Sequence, residues 1–218
     1  MASLTLTFDN GPEPEVTPTV LDILAERGIR TTFFVIGEKL LDPRRRDLAA
    51  RARREGHWIG NHTYTHSVPL GLRPEPDVPD REIARTQDLI GDLAHPDRLF
   101  RPFGGGGFIS PALLSQAVVA HLVAGQYSCV LWNAIPRDWE DPDGWVERAL
   151  RQCDEQDWTL MVLHDLPTGA TAHLPAFLDA VAARGITLRQ DFPPDLVPIR
   201  RGRIERPLAA YVSDTLPA

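Results

Sequence analysis

Leu4-Thr5-Leu6-Thr7-Phe8, followed at once by Asp9-Asn10-Gly11-Pro12, sets how the rest of the chain is read. The first five residues have the look of a short buried strand. The next four end it, because Asn-Gly and Gly-Pro are both turn dipeptides. An acid and an amide therefore sit at the C-terminal end of a strand. A strand-ending turn alone accounts for them, unless other strands also end on reactive side chains.

Outward from this stretch, strands and helices alternate. Val16 to Arg27 carries a helical stripe of Val16, Val20, Ile23 and Leu24, with Gly28 as its stop. Thr31 to Ile36 is a continuous apolar strand. Asp42-Pro43 opens a second helix that runs to about Glu55, in the order of a cap followed by a first-turn proline. His57 to Asn61 is a third strand. A proline-rich loop, Val68 to Asp80, precedes a helix expected over Arg81 to Leu93. Leu99 to Arg101 ends a fourth strand. Ser110-Pro111 is expected to cap a helix ending near His121. Gln126 to Trp132 reads as a fifth strand, Gly144 to Gln152 as a helix and Thr159 to Leu163 as a sixth strand. Leu174, Phe177, Leu178 and Val181 form one more stripe, before a last strand at Ile186 to Leu188. About seven strand–helix units with apolar strands imply parallel pairing, in a closed barrel or an open doubly wound sheet. Residues 1–218 read as one domain, with an irregular tail from about residue 190.

A formal net charge of −7 argues against nucleic acid and acidic membrane surfaces as partners. The runs Arg44-Arg45-Arg46 and Arg200-Arg201-Gly202-Arg203 read as solvated charge. Cys129 and Cys153 form no CxxC and read as buried thiols of a reducing compartment, though spacing leaves a disulfide open. The N-terminus shows no leader pattern and no run is long enough to span a membrane, so the expected location is cytoplasmic. The run Gly104 to Gly107 lacks the lysine and spacing of a phosphate loop.

The reactive residues gather at strand ends. Asp9 and Asn10 follow the first strand, and His62 and His66 the third. Arg101 ends the fourth, Asp138 follows the fifth, and His164 with Asp165 ends the sixth. A parallel barrel opens all these ends on one face, where active sites are built. His62 and His66, four apart, suit a transition metal with open positions, although the spacing fits two ordinary loop histidines as well. Asp9 suits a general base paired with Arg101, and His164 a general acid whose proton is held by Asp138. Backbone amides after Arg101, in Phe103 and Gly104 to Gly107, suit an oxyanion hole, or simply a mobile connection. Trp58, Tyr64, Trp132 and Trp139 offer stacking faces for a sugar, or barrel packing.

Thr7-Phe8-Asp9-Asn10-Gly11-Pro12, His62-Thr63-Tyr64-Thr65-His66, Arg101-Pro102-Phe103-Gly104, Trp132 with Asp138-Trp139, and Leu163-His164-Asp165 stand in the order of five motifs. In that order they resemble the NodB-homology polysaccharide deacetylase family, carbohydrate esterase family 4, over nearly the whole chain. The resemblance implies a distorted (β/α)7 barrel, a TIM-barrel-like α/β fold. It implies a hydrolase of non-peptide C–N bonds that removes an acetyl group from an N-acetylated sugar or small molecule. Asp9, His164, Arg101 and Asp138 are then the catalytic group, and Phe103, Gly104, Trp132, Trp139, Tyr64 and Leu163 the substrate-binding candidates. His62 and His66 are implied metal ligands for zinc, cobalt or nickel. The family's third ligand is a carboxylate where this chain has Asn10, a neutral and poorer donor. Three readings of Asn10 follow: a weakened metal site of His62, His66 and Asn10; metal-free hydrolysis of a cyclic imide or ureide; or a carbohydrate-binding relative without catalysis. A soluble intracellular amide fits the absence of an export pattern better than a cell-wall polymer.

Overall fold

The computed structural model describes residues 2–213. Nine strands and six α-helices follow one another as β1 (Ser3–Asp9), α1 (Thr17–Glu26), β2 (Thr32–Val35), α2 (Pro43–Arg54), β3 (Trp58–Asn61), α3 (Arg85–Ile90), β4 (Leu99–Phe100), α4 (Gln116–Ala124), β5 (Ser128–Cys129), α5 (Trp145–Asp154), β6 (Trp158–His164), α6 (Leu174–Ala183), β7 (Thr187–Arg189), β8 (Ile199–Arg200) and β9 (Arg203–Ile204). The first seven pair parallel. β6 lies against β1, and β2, β3, β4 and β5 follow in sequence order. This is the distorted (β/α)7 barrel expected.

Two features distort it. β7 pairs with Ser3 to Thr5 of β1, while β2 pairs with Thr7 to Asp9, so two strands share one edge. Between β5 and β6 no ladder forms among the described residues; one parallel bridge, Ala134 to Met161, stitches the gap. The fifth strand is accordingly shorter than the Gln126 to Trp132 expected. Past Cys129 the chain leaves the ladder, and β5 takes β8 as an antiparallel neighbour. The segment after residue 190, expected to be irregular, carries the β8–β9 hairpin.

Strand β1 shows why the barrel holds. Leu4, Leu6 and Phe8 pack among residues of α1 and α6 in the main apolar cluster. Thr5, Thr7 and Asp9 alternate with them and are also buried. Successive side chains point to opposite faces, so the apolar residues serve the helical layer and the threonines line the interior. Two expected helices break. Ser110 caps only a short turn over Pro111–Leu113. Leu114 is extended and bonded to Tyr211 and Ser213, and Ser115 caps α4 through the Val118 amide. Arg81 to Leu93 divides into a π-helical turn over Asp80–Ala84, the short α3 and a closing 3₁₀ turn at Gly91–Leu93. No helix of the described residues is long and apolar enough to cross a membrane.

Candidate active site

The C-terminal ends of β1, β3, β4 and β6 open on one cavity of about 200 Å³. Asp9, Asn10, His62, His66, Phe103, Gly104, Trp132, Trp139 and His164 line it. Of the strand-end residues expected to meet, Asp9, Asn10, His62, His66 and His164 do so here, and Asp165 does not. Arg101 and Asp138 stand behind them, both buried.

Arg101 is the deepest charge. Its Nη1 donates to Asp9 Oδ1 at 2.8 Å and to Thr7 Oγ1 at 2.6 Å, while Nε and Nη2 donate to the carbonyls of Val130 and Leu131. The guanidinium also lies 4.1 Å from the Phe34 ring centroid. A fully buried cation needs such complete pairing, because an uncompensated one costs several kcal/mol, on the order of 3–5. The inward Thr7 of β1 thereby gains a purpose: its hydroxyl donates to Met161 O at 2.8 Å and accepts from Arg101. Asp9 is thus fixed in direction, and its Oδ2 faces His62 Nε2 at 3.5 Å.

His62 Nδ1 donates to the Arg101 carbonyl at 2.8 Å, which fixes the tautomer and leaves Nε2 as a lone pair toward the cavity. Burial drives the His62 imidazole down to about 3 and the His66 imidazole down to about 2, so both are neutral near pH 7. Asn10 adopts φ 76°, a left-handed conformation that asparagine tolerates better than most residues. Its backbone carbonyl accepts from Lys39 Nζ at 2.7 Å. Its side-chain Oδ1 is buried with no hydrogen-bond partner among the described residues. An orphaned amide oxygen beside two neutral imidazoles suits a cation from outside the protein. No group of three His, Cys, Asp or Glu among the described residues forms a metal site, and Asp9 Oδ2 and Asn10 Oδ1 are the side-chain oxygens beside the two histidines.

His164 is held differently. Asp138 Oδ1 accepts from its ring Nδ1 at 2.8 Å and Oδ2 from its backbone amide at 2.8 Å. Burial opposes the imidazolium, but the Asp138 carboxylate outweighs burial and raises His164 above its ordinary value. Trp139 meets the ring edge-on at 4.7 Å. The neighbouring Asp165 points away from the cavity. Its Oδ2 accepts a hydrogen bond from the Thr17 hydroxyl at 2.5 Å, and its carboxyl leaves no room for a side chain at Gly11, which accounts for that glycine. Burial pushes its carboxyl up to about 7.

Two expected substrate contacts are corrected. Tyr64 does not line the cavity; its ring lies under Arg85 at 3.8 Å, on the far side of the loop. Leu163 points outward into the apolar cluster under the helices, because Val162 and His164, one residue away on either side, take the inner face. Trp58, weighed as a stacking face, packs with His95 and Phe192. Trp132 does line the cavity, with Nε1 donating to Gly107 O at 3.0 Å, so the glycine-rich loop is tethered there. Ile135, Val162 and Leu166 complete the apolar wall, and Lys39 holds the Asn10 turn. None of these was singled out from sequence, although Lys39 follows β2 and the strand-end rule reaches it.

Known proteins resemble this chain in sequence and in fold. A family profile described as polysaccharide deacetylase matches residues 2–118. A chitooligosaccharide deacetylase of Rhizobium leguminosarum bv. phaseoli is 36% identical over 170 residues, covering 75% of this chain and 68% of that protein. A peptidoglycan-N-acetylglucosamine deacetylase of Bacillus cereus is 32% identical over 166 residues, covering 74% and 72%. The crystal structure of a family 4 carbohydrate esterase from Streptomyces lividans in complex with acetate superposes with a TM-score of 0.71 at 26% identity, over 98% of each chain. With its five motifs gathered at the mouth of the barrel, this chain belongs to the polysaccharide deacetylase family.

Proposed function

We propose that this amide hydrolase removes the acetyl group from an N-acetylated amino sugar, and that His62, His66 and Asn10 hold a divalent transition metal. The observation that carries this reading is the meeting of two opposite devices in one cavity. Asp9 is anchored by Arg101 and His164 by Asp138, while Asn10 Oδ1 and the His62 lone pair are left for a ligand. Substrate chemistry follows from size and lining. The cavity, about 200 Å³, lies below the range that engulfs drug-sized molecules, roughly 300–1,000 Å³. It takes an acetamido group and leaves a saccharide chain at the mouth, beside Phe103, Trp132 and Trp139.

The protein groups divide the work. Asp9, oriented by Arg101, accepts the proton of the attacking water. His164, kept protonated by Asp138, presents Nε2–H to the leaving nitrogen, which departs as an amine. The backbone after Arg101 offers amide donors toward the carbonyl oxygen, and positive φ angles at Gly105, Gly106 and Gly107 let it approach closely. A metal at His62, His66 and Asn10 would supply Lewis acidity to the amide carbonyl. Because Asn10 is neutral where a carboxylate would bring charge, affinity for that metal is weak.

Acetate release from chitooligosaccharides and from N-acetylglucosamine tests the proposal, with plasma mass spectrometry of the purified protein alongside. The expected result is release stimulated by zinc, cobalt or nickel, abolished by chelator, and lost with metal content in a His62→Ala/His66→Ala variant. Release that chelator and the double variant leave intact would remove the metal from the reading. No release from either substrate, metal present, would remove the sugar.

A further inference from the structure

We propose that Glu82 is a positioning residue for His66, acting through the backbone of the loop between the two histidines. The argument begins with how each histidine is held. His62 is fixed by its own ring, through Nδ1 and the Arg101 carbonyl. Among the described residues no side-chain hydrogen bond of this kind reaches the His66 imidazole, which packs on His62 at 4.6 Å and Phe103 at 4.1 Å between ring centroids. Its direction therefore depends on the backbone that carries it. That backbone is unusual: Thr63 and His66 adopt φ 65° and 49°, left-handed values that non-glycine residues hold only where the surroundings impose them.

Glu82 holds the two residues between them, opposite the Gly37 and Glu38 amides that donate to the Thr63 and Tyr64 carbonyls. It is 3% exposed and comes from the π-helical turn Asp80–Ala84, one helical segment away from the loop. Its Oε2 accepts from the consecutive amides of Tyr64 and Thr65 at 3.0 and 2.9 Å. Its Oε1 accepts from the Thr65 hydroxyl at 2.8 Å and from Arg73 Nη1 at 2.6 Å. Two successive amides on one oxygen form a small anion-binding concavity, here filled by the protein's own carboxylate. Burial disfavours the charge, but the Thr65, Arg73 and Tyr64 donors outweigh it and hold the carboxyl below its usual range. Two neighbouring contacts flank this grip. Ile83 O of the turn accepts from Asn61 Nδ2 at the end of β3 at 2.9 Å, and Arg85 at the start of α3 lies over the Tyr64 ring. Asn61 Oδ1 in turn accepts from the Thr63 amide at 3.0 Å. An i→i+5 turn is a frequent device for aiming a side chain at a functional site. Here it directs a glutamate away from solvent and onto the loop.

The experiment reads the rings directly. Long-range proton–nitrogen correlation spectra of metal-free protein report each imidazole separately. In Glu82→Ala the His66 signals are expected to shift or broaden while those of His62, held by Arg101, stay in place. Glu82→Gln keeps an oxygen for the two amides and loses the pairing with Arg73, so it should restore most of the His66 signal. The second arm rests on the metal reading: zinc affinity by competition titration should fall ~10–100-fold in Glu82→Ala, as for other residues that orient a ligand from behind. Unchanged His66 signals in Glu82→Ala would overturn the proposal. So would His62 and His66 signals moving together, which marks general loosening. If Glu82→Ala does not fold, Glu82→Leu, which keeps the volume and removes both oxygens, decides in its place, a His66 shift without a His62 shift supporting the proposal and none overturning it. Wild-type protein that binds no zinc would count against the metal reading, while the ring spectra still judge Glu82.

Discussion

The two sides of the cavity are built on opposite terms. On one side Asp9 and His164 each have a buried partner, Arg101 and Asp138, and both partners spend their hydrogen bonds inside the protein. On the other, Asn10 Oδ1 has no partner, and His62 Nε2 and Asp9 Oδ2 face each other as acceptors across 3.5 Å. The first side is finished by folding. The second is finished only by something that arrives. Preorganisation belongs where protons move, since fixed groups need not reorganise during the reaction. Unsatisfied donors of lone pairs belong where a ligand is to be taken up.

The largest expected effect breaks the finished side. Asp9→Ala leaves Arg101 buried with one hydroxyl and two carbonyls, which costs about 3–5 kcal/mol of stability, read by urea unfolding. Acetate release should fall by roughly 10²–10⁴-fold with loss of the base. Asp9→Asn keeps an oxygen for Arg101 and separates the two losses: activity should fall as far, and stability less. Full activity in either variant would remove Asp9 from the base role.

A smaller effect is expected at His164. Asp138→Asn replaces a carboxylate that holds two N–H groups by an amide able to accept on one side only. The imidazolium loses its partner, so its raised value falls back. A general acid works while protonated, so the alkaline limb of kcat/KM should move to lower pH, with activity at neutral pH falling by roughly 10²-fold. The same shift has a stability sign. A histidine raised on folding stabilises the fold below its unfolded value near 6.5, and this contribution disappears as pH rises through the higher folded value. Asp138→Asn should therefore be more costly at pH 6 than at pH 9 in thermal unfolding. Equal cost at both would deny that His164 carries the charge.

The same contrast governs what sequence reading reaches. Asp9, His62, His66, Arg101, Asp138 and His164 are legible because parallel strands deliver their ends to one face, so a linear rule has a spatial meaning. Tyr64 and Leu163 come from the motif resemblance instead, and being next to a site residue in a motif says nothing of which way a side chain points. Glu82 lies outside its reach altogether. In sequence it is one charge in Asp80-Arg81-Glu82, the look of a solvated helix start, and only the π-helical turn sends it inward. The β8–β9 hairpin was missed for a related reason. Its strands are two residues each, too short to show periodicity, and they pair because β5 leaves an edge open.

The last prediction sharpens the unfinished side. Asn10→Asp restores a carboxylate at the left-handed position after β1, which aspartate tolerates much as asparagine does. Without a cation, the new charge lies beside Asp9 in a buried cavity, where like charges repel. Metal-free protein should therefore melt at a lower temperature than wild type. With zinc the order should reverse, because the added charge favours the bound state and the bound state stabilises the fold by mass action. Roughly tenfold tighter zinc binding is expected, on the general rule that ligand charge sets affinity at such sites. Competition titration and melting with and without zinc read both halves. If zinc binds Asn10→Asp no more tightly than wild type, the Asn10 oxygen does not belong to the donor set. The pocket would then depend on the two imidazoles alone, which places still more weight on whatever holds His66 in direction.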